Sequence, residues 1–82
     1  MNGRKTPVVA YITHLIKTTS RTRLLDILLD SPLKTRDINL ILDYADGMSY
    51  KELAERYHKS VQRINQWKRS AYEQLAYYLR EK

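Results

Sequence analysis

The sequence contains no cysteine, which excludes disulfide bonds and thiolate metal sites. Its two histidines have no acidic cluster beside them, so we expect no metal site and no cofactor. No apolar run approaches the roughly 20 residues that a membrane-spanning helix needs. Polar residues also interrupt the stretch after Arg4 and Lys5 before a signal-peptide core could form. We therefore expect a cytoplasmic protein, in a phage-like or prokaryotic setting, with no membrane contact and stabilised by packing alone.

Glycine and proline are scarce, at two residues each, and apolar residues recur at three- and four-residue spacing. This pattern predicts helices rather than strands throughout the chain. The chain has 82 residues, which is room for one domain with a small core. The predicted fold is all-α, a compact bundle of about five helices that contains a helix-turn-helix, with residues 1–82 as a single domain.

Residues 1–32 are predicted to form an N-terminal pair of helices. Thr6 is the expected N-cap of the first helix, which has Pro7 at its first position and ends at about Lys17. Its inward face is predicted to carry Val8, Tyr11, Ile12, Leu15 and Ile16. The second helix is capped by Ser20 and ends before Pro32, because a residue that precedes proline is disfavoured in helical conformation.

Residues 33–82 are predicted to form three more helices. The third begins at about Arg36 and stops at Gly47, which adopts the left-handed conformation at little cost. Ser49 and Glu52 have capping-box spacing and open a short fourth helix, with Leu53, Ala54 and Tyr57 facing inward. Ser60 caps the fifth helix, whose core positions are predicted to be Val61, Ile64, Ala71, Leu75 and Leu79.

The fourth and fifth helices are separated by only a few residues, as in a helix-turn-helix. In that arrangement the first helix braces across the DNA backbone while the second enters the major groove. The net charge of +6 favours an anionic partner. Between Arg56 and Arg69 there are basic residues and no acid, so positive potential should concentrate there.

The fifth helix is predicted to turn a polar face away from its core. Arginine can pair with guanine in the major groove, and asparagine or glutamine with adenine. The alternative is a solvated polar face, which we consider less favoured because the window is free of acids and follows a tight turn. The candidate base-contacting residues are Gln62, Arg63, Asn65, Gln66 and Arg69.

The stretch from Leu33 to Leu75 resembles region four of bacterial sigma factors and the helix-turn-helix of LuxR-type response regulators. The matching features include Leu33 and Thr35 at a helix start, the run from Gly47 to Arg56 with its Ser-x-x-Glu-Leu-Ala-Glu-Arg core, and the later positions Ser60, Val61, Ile64, Ala71 and Leu75. The chain departs from the family where His58 and Lys59 replace a glycine-containing turn, and at Trp67 and Lys68.

The resemblance implies that Asn65, Gln66 and Arg69 contact bases or nearby phosphates. It also implies that Ser49, Lys51 and Ser60 lie where helix ends meet the DNA backbone, and helix N-termini suit phosphate on physical grounds as well. The full set of candidate backbone contacts is Ser49, Tyr50, Lys51, Lys59, Ser60 and Lys68. Because no receiver or core-polymerase-binding region accompanies this stretch, we expect neither a complete sigma factor nor a complete response regulator.

The remaining chemistry-bearing residues favour structural roles. Tyr72, Tyr77 and Tyr78 could be core packing, a dimer face or a stacking platform, of which we favour the first two. Trp67 is interpreted as a core anchor and the histidines as surface residues. Glu52 is used by the capping box, and no nucleophile elbow or phosphate loop is present, so we do not expect an enzyme.

Three hypotheses follow. The favoured one is a sequence-specific transcriptional regulator that binds double-stranded DNA as a homodimer on two half-sites, since a single helix-turn-helix usually binds weakly alone. The second is the DNA-recognition subunit of a phage packaging assembly (small terminase-like) or a recombination assembly. The third is a module that grips RNA polymerase or an anti-sigma partner without reading DNA.

Overall fold

The computed structural model describes residues 7–81, apart from the side chains of Val8, Val9 and Glu81. Within that range the chain is all-helical and compact, which confirms the predicted fold class. Its helices are α1 (Pro7–Thr18), α2 (Arg21–Asp30), α3 (Thr35–Ala45), α4 (Tyr50–Tyr57) and α5 (Val61–Glu81). The third helix begins one residue before the predicted start. The predicted cap Thr6 and the predicted inward side chain of Val8 lie outside what the structure describes.

The helix ends follow the local signals of the sequence. Ser20 caps α2, since its hydroxyl accepts a hydrogen bond from the backbone N–H of Arg23 at 3.2 Å. Gly47 follows α3 with a φ of 103°, and the N–H of Met48 reaches back to the carbonyl of Asp43 at 3.2 Å. This backward bond closes α3 in a Schellman motif, for which glycine at the left-handed position is the usual residue.

The apolar side chains form two clusters that share helix α5. The N-terminal cluster joins α1, α2, α3 and the second half of α5 around the buried residues Ile12, Leu24, Leu28, Leu33, Ile41, Leu42, Ala71, Tyr72, Leu75 and Ala76. The helix-turn-helix cluster is smaller and joins α3, α4 and the first half of α5 through Leu40, Leu53 and Ile64, all completely buried. Helices α3 and α5 therefore contribute to both clusters and connect them.

Two predicted core residues are at the surface. Tyr11 is 52% exposed, because the inward stripe of α1 runs through its neighbour Ile12 and through Leu15 and Ile16. Val61 is 46% exposed, because it opens α5 almost one turn before Ile64, where the buried part of the helix begins. The phase of α1 therefore excludes Tyr11 from the core, whereas Val61 has an inward phase but lies beyond the end of the cluster.

None of the described helices is long and apolar enough to cross a membrane. Over the same part of the chain, no group of three histidine or acidic side chains is arranged so that it could hold a metal ion.

Candidate nucleic-acid interface

Helix α4 is short and closed at both ends by its own residues. At its start the Ser49 hydroxyl accepts from the N–H of Glu52 at 3.1 Å, and the Glu52 carboxylate accepts from the N–H of Ser49 at 2.8 Å, which is the predicted capping box. At its end His58 adopts a left-handed conformation, with φ 58° and ψ 43°. The N–H of Lys59 then bonds back to the carbonyl of Ala54 at 2.9 Å.

A three-residue turn, residues 58–60, leads from α4 into α5. Ser60 caps α5 as predicted, since its hydroxyl accepts from the N–H of Arg63 at 3.0 Å. Four of the predicted backbone-contacting residues are exposed around these helix starts and the turn, namely Ser49, Lys51, Lys59 and Ser60. A phosphate could approach the N-terminus of α5 here without displacing a buried group, whereas the Glu52 carboxylate already occupies the start of α4.

The five candidate base-contacting side chains on α5 are all exposed, namely those of Gln62, Arg63, Asn65, Gln66 and Arg69. Spacings of three and four residues align most of them along one side of the helix, opposite the buried Ile64. Within residues 7–81 none of them forms a side-chain hydrogen bond or ion pair. Their amide and guanidinium groups are consequently available to an external partner.

Lys68 corrects the sequence prediction, because its side chain lies inside the molecule and cannot serve as a DNA-backbone contact in this conformation. The residue is only 7% exposed, since it follows Ile64 by four positions and shares the inward stripe of α5. Its ammonium lies 4.4 Å from the ring centroid of Tyr72, 4.8 Å from that of Tyr44 and 5.7 Å from that of Tyr50. Burial lowers the pKa of Lys68, and the neighbouring Arg69 charge acts in the same direction.

Tyr50, another predicted backbone contact, is half-buried rather than fully available. Its ring stacks on that of Tyr44, with centroids 5.6 Å apart and planes inclined by 14°. Tyr50 therefore keeps only part of its surface for the contact that the sequence predicts.

The stretch from Arg56 to Arg69 contains no acidic residue, but Asp43 of α3 lies beside its first residues in the structure. Asp43 on α3 accepts a hydrogen bond from the Tyr57 hydroxyl at 2.9 Å and pairs with Arg56, with Nε 3.2 Å from its carboxylate. Burial, followed by the hydrogen bond and charge of Asp43, raises the pKa of Tyr57 to about 12. Arg56 therefore braces α4 against α3, and its charge is partly neutralised.

Trp67 is held between two helices, in agreement with its interpretation as a core anchor. The Arg36 guanidinium of α3 lies 4.0 Å from the ring centroid, and the Tyr57 ring of α4 meets the indole edge-on at 6.4 Å. Arg36 also pairs with the buried Asp37 at 3.2 Å. Sequence reasoning missed this role of Arg36, since the sequence carries no signal that joins α3 to that point of α5.

Between residues 50 and 69 the exposed cations that form no ion pair with a described residue are Lys51, Lys59, Arg63 and Arg69. They lie on α4, on the turn and on the first half of α5. The candidate interface is thus a surface of four cations and the amides of Gln62, Asn65 and Gln66, carried by two capped helices.

No protein-family profile matches the chain, and no curated protein or solved structure is significantly similar to it. The likeness to sigma region four and to LuxR-type domains therefore rests on the residues between Leu33 and Leu75 alone.

Proposed function

We propose that the chain is a sequence-specific DNA-binding regulator of transcription that reads the major groove with the first half of α5. The observation that supports this function is the exposed face of Gln62, Arg63, Asn65, Gln66 and Arg69, which carries no acid and makes no internal polar contact among the described residues. A surface rich in unpaired donors is suited to an anionic, acceptor-rich ligand, and DNA presents both phosphates and base edges.

The dimensions of the face suit the major groove. An α-helix with its side chains is about 10–12 Å across, and the groove is about 12 Å wide. Glu73 is the first acidic residue of α5 and is exposed one turn beyond Arg69. Base contacts are therefore confined to the first half of the helix, while the second half belongs to the N-terminal cluster.

Phosphate contacts come from the surroundings of that face. Lys51 and Lys59 lie near the two helix starts, and at the start of α5 the positive end of the helix dipole also favours an anion. These groups position the protein along the duplex, and the side chains of α5 discriminate between bases.

The test is selection of bound sequences from a random pool of duplex DNA, followed by affinity measurements on the selected site. Arg63→Ala and Arg69→Ala are each expected to weaken binding without loss of helicity. Arg80→Ala is the matched control, since Arg80 is an equally charged, exposed residue of the same helix beyond the proposed contacts. Equal effects of all three substitutions would contradict the assignment of the recognition face.

Gln66 is expected to affect sequence preference more than overall affinity. Gln66→Ala should reduce discrimination at one base pair by about 1–3 kcal/mol, whereas Gln74→Ala further along α5 should not. The salt dependence provides an independent check, because log affinity falls by about 0.9 per neutralised phosphate for each unit of log salt. A module that binds only polymerase or an anti-sigma partner would select no DNA sequence from the pool.

A further inference from the structure

We propose that helix α2 is a self-association surface, through which two copies of the chain pair antiparallel across a twofold axis. The inference deepens the proposed function and rests on it for its use, since two helix-turn-helix units bind two half-sites better than one. The surface lies in the part of the molecule built around the N-terminal cluster, away from the first half of α5.

Helix α2 has apolar side chains on two sides. Leu24 and Leu28 are buried in the N-terminal cluster at 1% and 0% exposure. Leu25 and Leu29 follow them by one residue and are 36% and 64% exposed. Their four-residue spacing aligns the exposed leucines as a stripe along the outside of the helix. Covering this stripe with another apolar surface would be favourable, because it removes apolar area from water.

Beside the leucine stripe runs a charged one, formed by Arg23, Asp26 and Asp30 at helical spacing. It borders a cleft of about 440 Å³ between α2 and the end of α5, in which Ile27 and Leu79 also take part. Along α2 the positively charged Arg23 comes first, and the negatively charged Asp26 and Asp30 follow. Among residues 7–81 Arg23 forms no ion pair, and Asp30 accepts a hydrogen bond from the Tyr78 hydroxyl.

The order of these charges selects the second copy as the occupant and fixes its direction. A twofold axis perpendicular to two antiparallel helices brings each stripe against its own equivalent. Leucines then meet leucines, while Arg23 of one copy lies opposite Asp30 of the other, twice in each dimer. The two exposed Asp26 residues meet near the axis in this arrangement, whereas a parallel pair would set the leucine stripe of each copy against the charged stripe of the other.

The structure argues against the tyrosine-rich end of α5 as the dimer surface. Tyr72 is completely buried, and the hydroxyl of Tyr78 is engaged by Asp30. Of that group only Tyr77 faces outward, at 66% exposure, and it has no neighbouring exposed leucine or tyrosine on its helix. The contact area of α2 is small for a stable dimer, so we expect reversible, concentration-dependent association.

The first experiment measures molecular mass by sedimentation equilibrium, on the whole chain, in a concentration series that extends to the millimolar range. The wild type is expected to pass from monomer to dimer. Leu29→Glu should raise the dissociation constant roughly tenfold or more, whereas Tyr77→Glu, a change at an equally exposed residue, should leave it unchanged. A monomeric wild type, a higher oligomer, or a dimer that survives Leu29→Glu would overturn the proposal.

The second experiment exchanges the charges. Arg23→Asp and Asp30→Arg should each weaken association of the single variant with itself, because each opposes like charges twice. An equimolar mixture of the two variants should pair again, since each unlike pair is restored in the mixed dimer. Tyr78→Phe is the control for the lost hydrogen bond of Asp30 and should still associate. Failure of the mixture to pair would overturn the antiparallel arrangement.

These outcomes are separate from the test of DNA binding. Leu29→Glu is expected to bind a duplex with one half-site as the wild type does, and to lose the advantage of a duplex with two. A chain that dimerises through α2 but selects no DNA sequence would refute the proposed function and leave the interface standing. A chain that selects a DNA sequence but remains monomeric would refute the proposed interface and leave the proposed function intact.

Discussion

Lys68 is a buried cation that is surrounded by aromatic rings rather than by a carboxylate. Its ammonium lies within 5.7 Å of the ring centroids of Tyr44, Tyr50 and Tyr72. The negative ring faces offset part of the cost of removing the ammonium from water. Among the described residues the Lys68 ammonium has no carboxylate partner, and the fully buried Tyr72 hydroxyl has no hydrogen-bond partner. We therefore expect the charge of Lys68 to contribute little to the free energy of unfolding.

We therefore expect Lys68→Met to fold and to keep a free energy of unfolding within about 1 kcal/mol of the wild type, because methionine fills similar space without a charge. Its DNA affinity should equal that of the wild type. Urea denaturation and binding to the selected site measure the two quantities. A loss of affinity as large as that of Arg69→Ala would show that Lys68 reaches the phosphates after all.

His58 stands at a left-handed position that favours glycine, and within the described residues it is the only non-glycine with a positive φ. His58→Gly should raise the free energy of unfolding by roughly 0.5–1 kcal/mol, since it relieves the steric cost at Cβ and loses some of that gain to chain entropy. The urea midpoint is the readout. Lys59→Gly, one residue further, should not be stabilising, and a gain there would point to turn flexibility instead.

At the scale of the helices, the sequence predicts where each helix ends, because helix ends depend on local hydrogen bonds. Ser20, Gly47 and the Ser49–Glu52 box mark the helix ends where the structure has them, because capping depends on residues a few positions apart. Contacts between helices leave no such local mark. The pairing of Arg56 with Asp43 and the packing of Arg36 on Trp67 depend on how α3 lies against α4 and α5, which the residue pattern does not reveal.

The candidate site shows the same division. The outward face of α5 could be predicted because it follows from helical period and the position of Ile64. Lys68 was misplaced because charge was counted along the sequence, although its helical phase is that of Ile64. Val61 was misplaced for the opposite reason, since its phase is inward but the cluster begins only at the next turn.

The burial of Tyr57 and its contact with Asp43 make the free energy of unfolding depend on alkaline pH. The pKa of Tyr57 is about 12 in the folded chain against 10.0 for the free side chain. A raised pKa means that the folded state holds the proton more tightly, so this contribution is complete below pH 10 and is lost as the pH rises through about 12.

Between pH 10 and pH 12 the wild type is therefore expected to lose stability relative to Tyr57→Phe, by roughly 1 kcal/mol after allowance for solvent near this half-buried residue. Paired urea titrations at several alkaline pH values measure the difference. The Tyr72 hydroxyl, whose pKa burial also raises, is present in both proteins and cancels. A constant difference across the window would show that Tyr57 is neither buried nor bonded to Asp43 in solution.

At the scale of the whole molecule, α5 belongs to both clusters and joins them into one structure. Ile64 lies in the helix-turn-helix cluster, while Ala71, Tyr72, Leu75 and Ala76 lie in the N-terminal cluster. The residues that share a cluster with this second half of α5 come from α1, α2 and α3, such as Ile12, Leu24 and Ile41. The N-terminal helical pair therefore packs in the same cluster as the second half of α5, the proposed recognition helix, and carries the proposed dimer surface.

A chain that lacks residues 1–32 should consequently fail to fold as a stable unit. Removal of α1 and α2 would expose Tyr72 and Leu75, two fully buried side chains, each of which stabilises the fold by about 1.5–3 kcal/mol when buried. Circular dichroism should show reduced helicity and a broad thermal transition. A cooperative transition with retained DNA binding would show instead that the helix-turn-helix stands alone.

Trp67 provides an intrinsic fluorescence signal for the surroundings of α4 and the first half of α5. It is the only tryptophan of the chain, and it lies against Arg36 and Tyr57, within the helix-turn-helix cluster and one position from Gln66. Its fluorescence therefore reports on that half alone, while far-ultraviolet dichroism averages over all helices. Denaturation followed by both signals shows directly whether the two halves melt together, and quenching of the emission on addition of a duplex locates the encounter without any attached label.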